Sequence, residues 1–173
     1  QHMKLKDLGE LTRLTIPFFV NEGYLTNENV SEKEFETLKK IVEIEREGAK
    51  TLKELAKNSK FFFVDEFSLP EVKEDMDKKE RKSVERLLNS LKDEVGLKSI
   101  KLFIEKLEKW EGNEFTAEQA KDLLHSLLDD LQEGPGKIFM PLRAVLTGAA
   151  KGADLYNILY VIGKERALKR IKD

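Results

Sequence analysis

The chain has 173 residues, a net charge of −2, 37% charged residues and no cysteine, which suits one domain or two small helical subdomains with a real core. Without cysteine there is no disulfide, thiolate zinc site or cysteine nucleophile, and a reducing cytoplasm is the expected location. No apolar run approaches the roughly 20 residues that cross a bilayer, so no membrane partner is expected.

Helical periodicity governs nearly every segment and no alternating run suggests a sheet, so the fold class is all-α. Gln1-His2-Met3 looks like a cloning scar (residues 1–3), which makes an excised fragment the expectation. Leu5 to about Thr15 predicts a first amphipathic helix, with Pro17 opening a short continuation. Ser31 and Glu34 form a capping-box pattern ahead of Phe35, Leu38, Ile41 and Val42. Thr51 and Glu54 repeat that device for a helix ending near Phe61, Phe62 and Phe63. These three, with Phe67 and Pro70, read as an apolar connector; consecutive phenylalanines suit core packing better than base stacking. Glu43, Glu45 and Glu47 lack ligand spacing and read as a solvated helix face.

The boundary is expected between Phe67 and Asp77, giving two packed helical subdomains over residues 4–76 and 77–173. Asp77 to Val95 predicts one helix, broken by Gly96. Leu97, Ile100, Phe103, Ile104, Leu107 and Trp110 form the next apolar face. Thr116 and Gln119 cap a helix striped by Ala120, Leu123, Leu124, Leu127, Leu128 and Leu131. His125 adjoins that stripe, and with no histidine or cysteine partner it is not a metal ligand; no metal site is expected. Gly134-Pro135-Gly136 stops this helix.

In the last third, Pro141 suits the first turn of a short helix that Gly148 closes. Asp154 can cap the next helix, with Leu155, Ile158, Leu159 and Ile162 on its apolar face and Gly163 at its end. Lys164 to Ile171 makes a last helix with Arg166, Lys169 and Arg170 on its polar side. Residues 137–173 hold eight Lys or Arg against three Asp or Glu, whereas residues 1–136 hold 23 against 30. A polyanion responds to such a local balance more than to the total. Arg143 is placed near a helix start, where open N–H groups and its planar fork would both suit an anion. A surface salt bridge is the commoner use of an exposed arginine.

The string from Gly136, GKIFMPLRAVLTGAAKGADLYNILYVIGKERALKR, resembles the C-terminus of bacterial glutamyl-tRNA synthetases, of the form K-x-F-M-P-L-R-x-A-L-T-G, then D-L and L-G-K-E-R. The matching residues are Lys137, Phe139 to Arg143, Val145 to Gly148, Asp154 with Leu155, and Ile162 to Arg166. LTRLTIPFFVNEGYL (Leu11 to Leu25) and AKTLKELAKNSKFFF (Ala49 to Phe63) resemble earlier segments of that family, in the same order. The resemblance implies an α-helical cage that receives the anticodon loop of tRNA. It implies Arg143 as an anticodon contact, with Gly152, Ala153 and Leu155 in the loop and helix start beside it. Many relatives have proline where this chain has Ala153, and a plain helix–helix corner is the alternative there.

The family's glutamate-restricted members typically carry arginine at the position of Gly48, where it reads the third anticodon base. Glycine cannot do so. Relaxed recognition of glutamine tRNA, or substitution by Arg46, is the expectation. Lys137, Lys164, Arg166, Lys169 and Arg170 are expected near tRNA phosphates, although such residues also complement a helix C-terminus. The family's nucleotide-binding motifs are missing, so no cofactor is expected on this fragment. ATP, magnesium and glutamate would bind a catalytic domain of the same polypeptide, and a monomer is expected. The rival reading is a helical protein-interaction scaffold that docks a partner on the acidic residues 1–136.

Overall fold

Polar side chains that accept backbone N–H groups set where several helices begin. The computed structural model describes residues 7–172. Among these the chain forms α1 (Leu8–Asn21), α2 (Glu32–Glu45), α3 (Leu52–Asn58), α4 (Lys60–Phe63), α5 (Lys78–Ser90), α6 (Glu94–Lys109), α7 (Ala117–Leu131), α8 (Pro135–Leu146) and α9 (Leu155–Lys172), with no strand. Asp7, Ser31, Thr51, Asp77 and Thr116 each accept the N–H three residues on. Glu34 and Gln119 return the bond to Ser31 and Thr116, closing those two capping boxes, whereas Glu54 accepts the Lys50 N–H, so the box expected at Thr51 is only half formed. Each cap contributes about 1 kcal/mol. Among the described residues no helix is long and apolar enough to cross a membrane.

The chain divides into two compact units, Gln1–Val64 and Asp65–Asp173. This division precedes the expected boundary at 76/77 because residues just after 64 are tied into the second unit. Asp65 pairs with Arg166 and Arg170, and Phe67 lies against Gly148.

In the first unit α1 packs on α2 and α3, and Leu11, Phe19, Ile41, Val42, Leu55 and Phe62 are no more than 1% exposed. Phe63 stacks on Tyr24 with centroids 4.8 Å apart. Two of the expected connector's phenylalanines are therefore part of the first unit's own packing. The first helix does not restart at Pro17 but runs through it to Asn21. Burial of Ile16 and Phe19 on either side outweighs the one helical hydrogen bond that proline cannot donate. Expectations for Leu5 and Lys6, and for the scar, fall outside the described residues.

Glu45 corrects the picture of a uniformly solvated acidic face. Burial lifts its carboxyl from the ordinary 4.5 to about 7, and its Oε2 is buried without a hydrogen-bond partner among the described residues. The folded chain thus holds this proton more tightly than the unfolded chain does. Its contribution to stability is complete below about pH 4.5 and is lost as pH rises through about 7. In urea denaturation across that range, Glu45→Gln should gain on the wild type as pH rises and then level off. A pH-independent difference would show that Glu45 is as hydrated as its neighbours.

In the second unit α8 is the hub, packed on α5, α6, α7 and α9. The helix expected over 77–95 breaks earlier, after Ser90, and Gly96 lies in the first turn of α6 instead of ending a helix. Gly96 serves close approach: a Cβ there would overlap the Ser90 carbonyl and stand 3.4 Å from Pro141 Cβ. The rod α9 bends at Gly163 (φ 78°, ψ 178°), so the two helices expected there meet end to end.

Candidate functional site

The site is built on the end of α8. Gly134 and Pro135 start this helix, proline fitting the first turn, so Pro141 is interior to it and buried. Arg143 accordingly stands in the last turn, not near a helix start as the sequence suggested. The anion-favouring N–H groups expected beside it are not those of its own helix. The helix start that borders it is that of α9, through Asp154, Leu155 and Tyr156.

The turn after α8 is closely held. Thr147 donates its N–H and its hydroxyl to the Arg143 carbonyl, at 2.8 and 2.9 Å. Gly148 takes φ +70°, and a Cβ on it would lie 2.5 Å from the Phe67 ring, so glycine is required twice over. The chain then loops through Gly152 (φ +140°) to Ala153, whose carbonyl accepts Arg143 Nη2 at 3.0 Å.

Arg143 lines a cavity of about 210 Å³ with Lys121, Leu124 and His125 of α7, Phe139 of α8, and Asp154, Leu155 and Tyr156. The Lys121 ammonium sits 5.1 Å from the Tyr156 ring centroid. Arg143 Nη1 is buried with no hydrogen-bond partner among the described residues. Burial lowers the Arg143 pKa while the Asp154 carboxylate acts against it, and a guanidinium stays charged regardless. The cavity is smaller than the roughly 300–1,000 Å³ of drug-sized ligand sites, a size for one flat ring. It combines a cationic fork, an acidic acceptor and aromatic faces.

Of the sequence-predicted residues, the structure brings together Arg143, Ala153 and Leu155. Gly152 is exposed in the same loop, and Leu155 is only 5% exposed. Sequence alone assigns no site role to Lys121 or Tyr156, offers Phe139 only as part of the matching string, and offers His125 only as a non-ligand. The spacing of Lys121, Leu124 and His125, at i, i+3 and i+4, was the available signal that one face of α7 carries all three.

The basic last helix needs correction. Arg170 is 4% exposed, and its Nε and Nη1 bond Asp65 and the Leu146 carbonyl, so it is closed to RNA phosphates. Arg166 also bonds Asp65, with Nη2 at 2.9 Å from Oδ1. Lys164 donates to the Trp110 carbonyl at 2.7 Å. Periodicity assigns Arg166 and Arg170 to a polar face, but their acceptors, like that of Lys164, come from distant segments. Lys169 remains exposed, and Lys137 stands 3.8 Å from Glu133. In the first unit Arg46 caps the end of α2, and Gly48 is exposed two residues later.

Comparison with known proteins gives a consistent result. The family described as Anticodon binding domain matches residues 10–173. The chain is similar to the glutamate–tRNA ligase of Fusobacterium nucleatum, 93% identical over 173 residues, which is all of this chain and 34% of that protein. Glutamate–tRNA ligase 1 of Caldicellulosiruptor saccharolyticus is 35% identical over 172 residues, 99% of this chain and 32% of the relative. A crystal structure of a glutamate tRNA ligase from Elizabethkingia meningosepticum aligns with a TM-score of 0.68 at 27% identity, covering 99% of this chain and 30% of that one. The chain spans about a third of the length of the curated relatives it matches.

Proposed function

We propose, since this chain belongs to the anticodon binding domain family, that it is the tRNA-reading region of a glutamate–tRNA ligase and takes an unpaired anticodon base against the Arg143 cavity. The observation that carries this is the buried, partnerless Nη1 of Arg143 beside that cavity. Such a donor costs about 1–3 kcal/mol until an acceptor reaches it. An unpaired base brings an acceptor edge and a flat face together, and Phe139 and Tyr156 offer aromatic surfaces for the face. The exposed Lys121, Lys151 and Lys169 would attract phosphates without reading sequence.

In this reading ATP, magnesium and glutamate are bound by the rest of the polypeptide, in a cytoplasmic monomer. The chain contributes affinity and identity at a distance from the chemistry. Titration with a glutamate-tRNA anticodon stem-loop tests it. With roughly three phosphate contacts, binding should weaken about tenfold or more between about 50 and 200 mM salt. Absence of binding at the lower salt would overturn the proposal and favour the acidic scaffold.

We further propose relaxed discrimination at the third anticodon base, because Gly48 has no side chain to read it. The wild type should prefer the glutamate over the glutamine anticodon loop by less than tenfold, about 1.4 kcal/mol. A Cβ at Gly48 meets nothing within 4 Å, so Gly48→Arg is accommodated and should raise that preference. A strong preference already present in the wild type would count against this.

A further inference from the structure

The helix that carries Arg143 ends at Leu146, whose carbonyl is among those that a helix end leaves without an intrahelical donor. Arg170 supplies one: its Nη1 bonds that oxygen at 2.9 Å while its Nε bonds Asp65 Oδ1 at 2.8 Å. The Arg170 side chain has no solvent exposure, so its charge depends on the partly buried Asp65 carboxylate. Arg166, one turn earlier on α9, grips the same carboxylate. Burial pushes the Asp65 carboxyl up, but the bonds and charges of the two arginines outweigh that and hold it below the usual range.

The segment after Asp65 meets the same turn a second time, where the Phe67 ring covers Gly148. Residues 65–67 therefore support the 146–148 turn at two points, from Asp65 through Arg170 and from Phe67 directly. From that turn, the Thr147 hydroxyl reaches the Arg143 carbonyl and Arg143 Nη2 reaches Ala153. Asp65, Arg166 and Arg170 are absent from the lining of the Arg143 cavity. We infer that Asp65 and Arg170, with Arg166, are positioning residues that aim Arg143 at RNA without touching it. This rests on Arg143 being the base contact proposed above.

The test is anticodon stem-loop binding by the whole chain carrying Arg170→Lys or Asp65→Asn, each in the wild-type and the Arg143→Ala background, with circular dichroism to report folding. Lysine keeps the charge but cannot serve Leu146 and Asp65 with one planar fork. Each variant should weaken binding about fivefold or more in the wild-type background, and less than about twofold once Arg143 is alanine. An equal loss in both backgrounds overturns the inference. So does the absence of any loss while Arg143→Ala itself weakens binding. Failure of both variants to fold also overturns it, since the cluster would then serve the fold and not the aim. If Arg143→Ala alone leaves binding unchanged, the assignment of Arg143 has failed, and that outcome is distinct from the others.

Discussion

Replacing Arg143 by alanine is expected to weaken binding of a glutamate anticodon stem-loop by about 1–3 kcal/mol, roughly 5- to 150-fold, with the fold intact. Among the described residues the guanidinium bonds the Ala153 carbonyl and leaves Nη1 buried and unpaired. Truncation frees the Ala153 acceptor but also removes the unpaired donor, so these opposing effects keep the stability change within about 1 kcal/mol. Binding has no such offset, because an acceptor on the RNA would be left facing an empty site. Affinity measured by fluorescence anisotropy, paired with thermal melts of both proteins, separates the two effects. A large stability loss with unchanged affinity would assign Arg143 to the fold.

Gly96→Ala should have the largest effect on stability, a loss of about 3 kcal/mol or more. At an ordinary helical position this exchange stabilises by up to about 1 kcal/mol, so the predicted sign is opposite to the default. The reason is steric: the added methyl would overlap the Ser90 carbonyl, a backbone atom that cannot rotate aside. Pro141 closes the other side at 3.4 Å, and it belongs to the helix that carries Arg143. A fall of about 10 °C or more in melting temperature is expected. An unchanged or higher melting temperature would mean that α6 can shift off Ser90 freely.

Local chemistry was legible in the sequence wherever one short segment decides it. The caps at Ser31 and Thr116 depend on a side chain and an N–H three residues apart, and both form as expected. Gly148 likewise closes its helix with a positive φ. Gly96 and Pro141 were misplaced because each residue type has two uses. Glycine can end a helix or admit a close neighbour, and proline can open a helix or sit within one whose packing outweighs the lost bond. Only the position of the partners, Ser90 and Gly96, decides between these.

The candidate site was half legible. Resemblance pointed to Arg143 and to the loop before Leu155, and the structure brings Arg143 and Leu155 to one cavity while the Ala153 carbonyl holds the guanidinium. Periodicity placed Arg166 and Arg170 on a polar face, yet the carboxylate that takes them is Asp65, which is 105 residues from Arg170. No spacing rule reaches across that separation. Glu45 was unreadable for a related reason: its neighbours at 43 and 47 are exposed, and only the packed structure distinguishes the carboxylate whose oxygen is buried.

Nuclear magnetic resonance mapping of a bound glutamate anticodon stem-loop on the isotope-labelled chain tests the role of the Arg143 cavity most directly. The largest shifts should fall on the Arg143 guanidinium, the His125 ring and the amides of Ala153 to Tyr156. Shifts confined to other surfaces, with these groups unmoved at saturation, would contradict it.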